Sequence, residues 1–372
     1  MKYLACNHTA DKEFAEGGVV LEGSIMMKGE INSAGSKILE NFHSPFSAAV
    51  TEKLADAGIG IAGIANMDEF GINSVFPGGD DTVEGVIEAV ADGYADAALA
   101  NDFSGKKRRQ APEHGLCYIH PTYGTVSRYG LIPLIASMDQ IGVVCRDLSK
   151  GFDTLSAIAG KDDRDGAMLT QKSYSYAADG KAPKAAIPTN VLKCVDQNEQ
   201  DIVKSFSGNF EAMDTELKYF DVYSQVMYIL GCAEISNNIN RYDGVKFGYR
   251  ADQIKTLNDL YLKTRTEGFG RDTKLAAILG SMVLSVKEYD KYYDKAMRVR
   301  RLIKESLEFD KYDIIVMPVG KGMEPYAQNS LYALATLAGL PSVSIPYGQG
   351  AVQIIANVCN ENALLTAWEA VK

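Results

Sequence analysis

Four consecutive cations, Lys106 to Arg109, are the most unusual chemical feature of this 372-residue chain. Carboxylates precede them at Asp80, Asp81 and Asp102. An amine of lowered pKa can serve as a base or a nucleophile, whereas an ammonium among carboxylates forms a structural ion cluster. We expect the second arrangement, with the Lys106 ammonium in salt-bridge reach of at least one of these three carboxylates, because a buried ammonium needs a counter-charge.

A motif at residues 98–130, ALANDFSGKKRRQAPEHGLCYIHPTYGTVSRYG, surrounds these cations. It resembles the core of the amidase signature family, in which Gly-Gly-Ser-Ile-Arg is followed by Lys-Pro-Thr-Tyr-Gly-Arg-Val-Ser-Arg-Tyr-Gly. Seven blocks in the family's order resemble its branch of glutamyl-tRNA(Gln) amidotransferase A subunits: residues 36–45, 65–70, 121–131, 138–142, 241–250, 263–270 and 337–346. The chain is shorter than members of that branch.

The resemblance implies an α/β fold, in which a mixed central β-sheet is covered by helices on both faces. Apolar runs at residues 57–65, 143–145 and 314–317 agree, because they have the composition of buried strands. We predict a single, trimmed amidase-signature domain over residues 1–372. The polar, weakly patterned segment 172–216 is predicted to be a peripheral insertion.

The family's catalytic groups are a serine nucleophile, a bridging serine and a lysine base, and the resemblance assigns positions to all three. Ungapped alignment places Lys106 at the nucleophile. Lys28, which follows three apolar residues, is placed at the lysine base. The bridging serine falls on Asp80 if Pro-Gly-Gly at 77–79 is the anchor, or on Thr82 if the spacing to Lys106 is kept.

Substrate-binding positions are also altered. The resemblance puts the family's conserved aspartate and arginine at Asp102 and Arg108, and it puts the arginine that holds glutamine at Arg300. The aspartate that would pair with the α-ammonium of glutamine falls on Asn329. Loss of that charge-assisted hydrogen bond predicts weaker glutamine binding.

Two classes of function therefore remain. The first is a noncatalytic member of the family, a pseudoamidase that binds a partner protein, such as an amidotransferase B-like or C-like chain, or a small ligand. The second is an enzyme, either with altered chemistry at Lys28, Lys106 or Asp80, or a glutamine-dependent amidase or amidotransferase component whose nucleophile is Ser104 instead.

The cations also raise the question of a bound anion. If Lys28, Lys106, Lys107, Arg108 and Arg300 converge in one concavity, they predict a carboxylate, phosphate or sulfate site. The alternative is internal neutralisation, in which the carboxylates Glu84, Glu88 and Asp102 leave these cations with nothing to bind. Glu84 and Glu88 belong to an acidic stripe on a helix that must either be exposed or meet the cations.

Composition excludes several other classes. A net charge of −10 disfavours direct nucleic-acid binding. Six scattered cysteines form no CxxC pair, and His114, Cys117 and His120 lack a fourth ligand, so neither a metal nor another cofactor is expected. There is no apolar run of membrane-spanning length, and the N-terminal residues are charged, so we predict a cytoplasmic protein.

Overall fold

A mixed β-sheet lies at the centre of the protein. The computed structural model describes residues 4, 18–72, 75–79 and 81–372. The strands within these residues are β1 (Val19–Glu22), β2 (Ile61–Ala65), β3 (Ala97–Asn101), β4 (Cys117–His120), β5 (Ile141–Cys145), β6 (Ala185–Pro188), β7 (Ala212–Thr215), β8 (Ile314–Met317), β9 (Ser342–Tyr347) and β10 (Gly350–Ala356). They form one sheet in the order β2-β1-β3-β5-β4-β9-β10-β8-β6-β7.

Helices cover this sheet. In the described residues they are α1 (Ala49–Asp56), α2 (Gly85–Ala91), α3 (Lys106–Glu113), α4 (Leu148–Ile158), α5 (Thr189–Leu192), α6 (Gln197–Ser207), α7 (Tyr223–Asn238), α8 (Leu257–Gly268), α9 (Arg271–Val283), α10 (Lys295–Glu305), α11 (Pro325–Ala338) and α12 (Glu361–Glu369). A π-helical turn, Asp290–Asp294, leads directly into α10. No helix in the described part of the chain is both long and apolar enough to span a membrane.

Strand β8 shows why both faces of the sheet are covered. All four of its residues are buried, and successive side chains of a strand point to opposite faces. Ile315 belongs to an apolar cluster with residues of α7 and α11, whereas Val316 belongs to a second cluster with residues of α4, α6 and α12. The predicted fold, a mixed sheet with helices on both faces, is confirmed.

Near the four cations, the sheet changes from parallel to antiparallel strand pairing. Strand β1 pairs in parallel with both β2 and β3, and β3 pairs antiparallel with β5. Because β1 and β3 run in the same direction, their carboxyl ends lie at the same edge of the sheet. Glu22 at the end of β1 and Asp102 just after β3 are therefore brought to the start of α3.

Segment 172–216 contributes to the sheet as well as lying at its edge. Strand β6 pairs with β8, and β7 pairs with β6 as the last strand of the sheet. Helix α6 buries Val203 and Phe206 in the core. The segment predicted as a peripheral insertion thus supplies two strands at one edge of the sheet.

Candidate functional site

The turn between β3 and α3 positions the four cations. The Asp102 carboxylate accepts hydrogen bonds from the backbone N–H groups of Gly105 (3.1 Å), Lys107 (3.4 Å) and Arg108 (3.0 Å). These are otherwise unsatisfied donors at a helix N-terminus. Gly105 has a φ of 97°, which a residue with a side chain rarely adopts. Asp102 and Gly105 together fix where α3 begins.

Lys106 lies in a buried ion cluster. Its Nζ is 2.7 Å from Glu84 Oε1 and 3.5 Å from Asp68 Oδ2, and the Lys106 side chain is 2% exposed. Burial lowers the pKa of Lys106, but Asp68 and Glu84 outweigh this effect and raise it above its usual value. The side chain at this position is therefore an ammonium at neutral pH.

Lys107 points to the end of β1. Its Nζ lies 2.7 Å from Glu22 Oε1. The other oxygen of Glu22 accepts hydrogen bonds from Ser24 Oγ (2.6 Å) and the Asn101 backbone N–H (3.1 Å). Burial lowers the pKa of Lys107, but the surrounding carboxylates, Glu22 foremost, raise it well above its usual value. This second ammonium also stays charged.

Arg108 connects α3 to α11. Its Nε donates to Asp102 Oδ2 (2.9 Å), and its terminal nitrogens donate to the Tyr332 carbonyl (3.1 Å) and to Thr336 Oγ1 (2.8 Å). Burial raises the pKa of Asp102, but Arg108 and Lys107 hold it below its usual value. The pair is therefore fully ionised and has a structural role.

Arg109 completes the series. It forms a salt bridge with Asp81 and a second, 3.3 Å long, with Glu113 one turn further along α3. Gln110 donates to the backbone carbonyl of Thr82 (3.1 Å) and accepts from the Glu84 backbone N–H (3.1 Å). Each of the four cations thus forms a salt bridge with at least one carboxylate.

Two spaces adjoin this cluster. The cavity bordered by Glu22, Ser24, Asn101 and Phe103 has a volume of about 10 Å³. A single water needs about 10–15 Å³, so this cavity holds one water at most. An open pocket of about 620 Å³ is lined by Asp68, the second carboxylate at Lys106, together with Gly78 and Gly79. Both lysines of the cluster are protonated and have no lone pair on Nζ.

Comparisons with known proteins identify the family. A family model described as Amidase matches residues 85–365. The A subunit of glutamyl-tRNA(Gln) amidotransferase from Lachnoclostridium phytofermentans is 36% identical over 380 residues, covering 91% of this chain and 76% of that protein. Its counterpart from Lachnospira eligens is 34% identical over 425 residues, covering 99% and 88%. The chain belongs to the amidase signature family.

Solved structures of amidase-signature proteins share its fold. The crystal structure of the A subunit of glutamyl-tRNA(Gln) amidotransferase from Thermotoga maritima superposes with a TM-score of 0.73 at 24% identity, covering 94% of this chain and 81% of that one. The peptide amidase from Stenotrophomonas maltophilia gives a TM-score of 0.77 at 21% identity, covering 95% and 81%. At these identities the likeness shows the fold alone.

The structure corrects the expectation, for this amidase-signature protein, that an apolar strand ends at Lys28. Lys28 is exposed, and its backbone N–H donates to Ser47 Oγ (3.1 Å). The apolar residues before it, 25–27, do not form a strand; Ile25 makes only an isolated bridge to Leu131. The observed apolar strand is β1, and it ends in Glu22. A buried carboxylate, not a lysine, therefore lies at the end of this strand.

Of the three carboxylates expected near Lys106, the two within the described residues pair with other cations. Asp81 pairs with Arg109, and Asp102 pairs with Arg108. Of the two candidates for the bridging serine, Thr82 is exposed, and Asp80 lies outside the described residues. Glu84, which the sequence placed on an acidic stripe, does meet the cations, while α2 behind it stays buried.

The two residues predicted to hold glutamine are not brought together. Arg300 donates to the carbonyls of Leu337 (2.7 Å) and Ser137 (3.0 Å), whereas Asn329 donates to the Tyr228 hydroxyl (2.5 Å). Leu337 and Asn329 are eight residues apart on α11, which is about 12 Å along a helix. With Lys28 at the surface and Arg300 held elsewhere, the five cations do not converge, so the anion site predicted from them is not formed.

Glu22 and Asp68 are the site residues that sequence reasoning missed. Both are nearly inaccessible to solvent, with side chains 0% and 3% exposed. A carboxylate at the end of the apolar run VVLE was a usable signal, because a buried acid requires a cation. Asp68 gave no comparable signal, since it follows β2 in a polar turn.

Proposed function

We propose that this protein is a noncatalytic member of the amidase signature family, a pseudoamidase that acts as a scaffold for a partner protein. One observation carries the proposal. The residue aligned with the family's serine nucleophile is Lys106, and its ammonium is bound to Glu84 at 2.7 Å, with both side chains almost inaccessible to solvent. A protonated amine cannot attack a carbonyl carbon.

Release of Lys106 from its ion pair would not restore amide hydrolysis. An acylated serine is an ester that water can hydrolyse, but an acylated lysine is a stable amide. The position of the base supports the same conclusion, because β1 ends in Glu22 and that carboxylate is already bound to Lys107. The nucleophile position and the base position are thus both occupied by residues held in ion pairs.

The names of the relatives support the proposal that this protein binds a partner protein. Both relatives are A subunits by name, so each acts as one component of a larger amidotransferase. A fold that is preserved over most of its length while its reactive groups are lost is best explained by selection for its surface. The partner class we propose is an amidotransferase B-like or C-like protein.

An ammonia-release assay tests the loss of catalysis. The purified chain is incubated with glutamine, asparagine and simple amides, alongside the Lachnoclostridium phytofermentans amidotransferase as a positive control. We expect ammonia at the level of the buffer blank for every substrate. Turnover by the unmodified chain would refute the proposal.

A fluorophosphonate probe, which labels activated serines, adds an independent measurement. We expect no labelling of the chain and clear labelling of the control enzyme. Ser104, the alternative nucleophile, is buried at the turn before α3. Labelling or turnover that disappears in Ser104→Ala would establish a conventional serine amidase instead.

A further inference from the structure

An open groove of about 640 Å³ lies between α8 and α9, away from the ion cluster. Its floor contains Ile239 and Phe269, both buried. Its walls carry Leu262 on α8 and Ile278 on α9, whose side chains are 63% and 66% exposed. Single exposed apolar residues are normal on a protein surface. Here two of them face one concavity that already has an apolar floor.

The lining residues follow helical spacing on both walls. On α8 they are Asn258, Tyr261, Leu262, Arg265 and Thr266, which share one face at i, i+3, i+4, i+7 and i+8. On α9 they are Lys274, Ala277, Ile278 and Ser281, at i, i+3, i+4 and i+7. Two helix faces that diverge from an apolar floor match the shape that receives a third helix.

The groove is positively charged in a protein whose net charge is −10. Among the residues that the structure describes, its lining includes Arg265 and Lys274 and no carboxylate. Arg265 donates to the carbonyls of Tyr242 (3.1 Å) and Asn240 (2.9 Å), and Lys274 donates to the carbonyl of Thr266 (2.6 Å). Backbone carbonyls orient these cations but do not neutralise them, so the groove favours an acidic ligand.

We infer that this groove binds an amphipathic helix of a non-identical partner, one with an apolar stripe flanked by Asp or Glu. The inference rests on the proposed scaffold function and locates the partner's site. A second copy of this chain does not fit. A two-fold contact would place the same lining on both sides, so that Arg265 and Lys274 of one copy would face these cations of the other with no lining carboxylate between them, and it would join two concave surfaces.

Model helices test the groove directly. Two labelled peptides of about 15 residues carry Leu at i, i+3, i+4 and i+7; Glu flanks the stripe in one and Lys in the other. Fluorescence anisotropy with the full chain measures the Kd of each. We expect the Glu-flanked peptide to bind at least about ten-fold more tightly, and Lys274→Glu to remove this preference.

Groove variants and a matched control identify the site. Leu262→Glu and Ile278→Glu are each expected to weaken the Glu-flanked peptide at least about ten-fold without changing Tm, since both side chains are exposed. Leu302→Glu, at a residue of α10 that is exposed but outside the groove, should leave binding unchanged. No binding by either peptide, equal binding by both, or full binding to Leu262→Glu would overturn the inference.

Sedimentation of the unmodified chain tests whether a second copy of the chain occupies the groove. We expect a monomer at micromolar concentration. A dimer that Leu262→Glu dissociates would show that a second copy occupies the groove, which would also overturn the inference. Ammonia release, in contrast, would refute only the noncatalytic function and would leave the peptide result standing, so the two failures are distinguishable.

Discussion

Lys107 Nζ and Glu22 Oε1 lie 2.7 Å apart, with both side chains almost completely removed from solvent. The positive end of a helix dipole disfavours a cation in the first turn of α3. Burial of the ammonium adds a desolvation cost. The pair persists because Glu22, held by Ser24 and Asn101, is fixed in place to accept the charge. The buried ion pair at the start of α3 therefore contributes to the stability of the fold.

Breaking this pair should destabilise the fold strongly. Lys107→Met leaves the Glu22 carboxylate buried without its counter-charge, and we expect the free energy of unfolding to fall by about 3–5 kcal/mol. Urea denaturation monitored by circular dichroism measures the change. The double variant Lys107→Met/Glu22→Gln should recover most of the loss, because no uncompensated charge remains. Additive losses in the double variant would contradict this account.

Alkaline pH should weaken the same cluster. Folding raises the pKa of Lys107 well above its usual value of 10.5, and the pKa of Lys106 is also raised. The folded state therefore holds these protons more tightly than the unfolded state. Their contribution to stability is complete below pH 10.5 and is lost as pH rises through the folded pKa.

The measurement for this prediction is the free energy of unfolding between about pH 9 and about pH 11.5. Tyrosines also ionise in this range, so the wild type is compared with Lys107→Met/Glu22→Gln, which has the same tyrosines. We expect a steeper decline in the wild type. Parallel curves would show that the pair does not set the alkaline limit.

Gly105 should tolerate no side chain. Its φ of 97° is strained for other residues, and an added Cβ would overlap the side chain of Tyr332 on α11. We expect Gly105→Ala to lower the free energy of unfolding by more than about 2 kcal/mol. Gly115→Ala is the matched control, because Gly115 at the other end of α3 also has a positive φ, 71°, but has open space around it. It should cost only about 1 kcal/mol; equal losses would rule out the overlap with Tyr332.

Restoring a serine at the nucleophile position should not restore activity. In Lys106→Ser the hydroxyl would face Glu84 and Asp68, and the strand end would still carry Glu22. The effects of catalytic groups that work as a unit are non-additive, so restoring one group while the others are missing restores little activity. We expect no ammonia from glutamine with Lys106→Ser, nor with Lys106→Ser/Glu22→Lys, which still lacks a bridging serine. Turnover by Lys106→Ser alone would contradict the assignment.

The sequence established the fold through local patterns that tertiary contacts did not override. Residues 314–317 were predicted as a strand and form β8 with the same limits. The predicted strand at 57–65 is shorter than expected, because β2 occupies only Ile61–Ala65. Apolar periodicity predicts the existence of an element better than its ends.

The expectation that an apolar strand ends at Lys28 was wrong for a specific reason. Residues 25–27 and 19–21 are both apolar runs, and a run of three apolar residues reads the same whether it forms a strand or a buried turn. Only the pairing of Val19 to Leu21 with β2 and β3 shows which run is the strand. The strand end, and with it the identity of the buried charge, therefore required the tertiary structure.

The sequence by itself showed four consecutive cations within the amidase-signature motif, and buried cations need carboxylates. It did not determine which carboxylates, because Glu22, Asp68 and Glu84 come from three separate elements that meet only after folding. Ion pairs depend on distances of a few ångströms, and distances between remote segments are not encoded in local spacing. The tertiary structure decided the pairing, because only folding brings these three carboxylates to the start of α3.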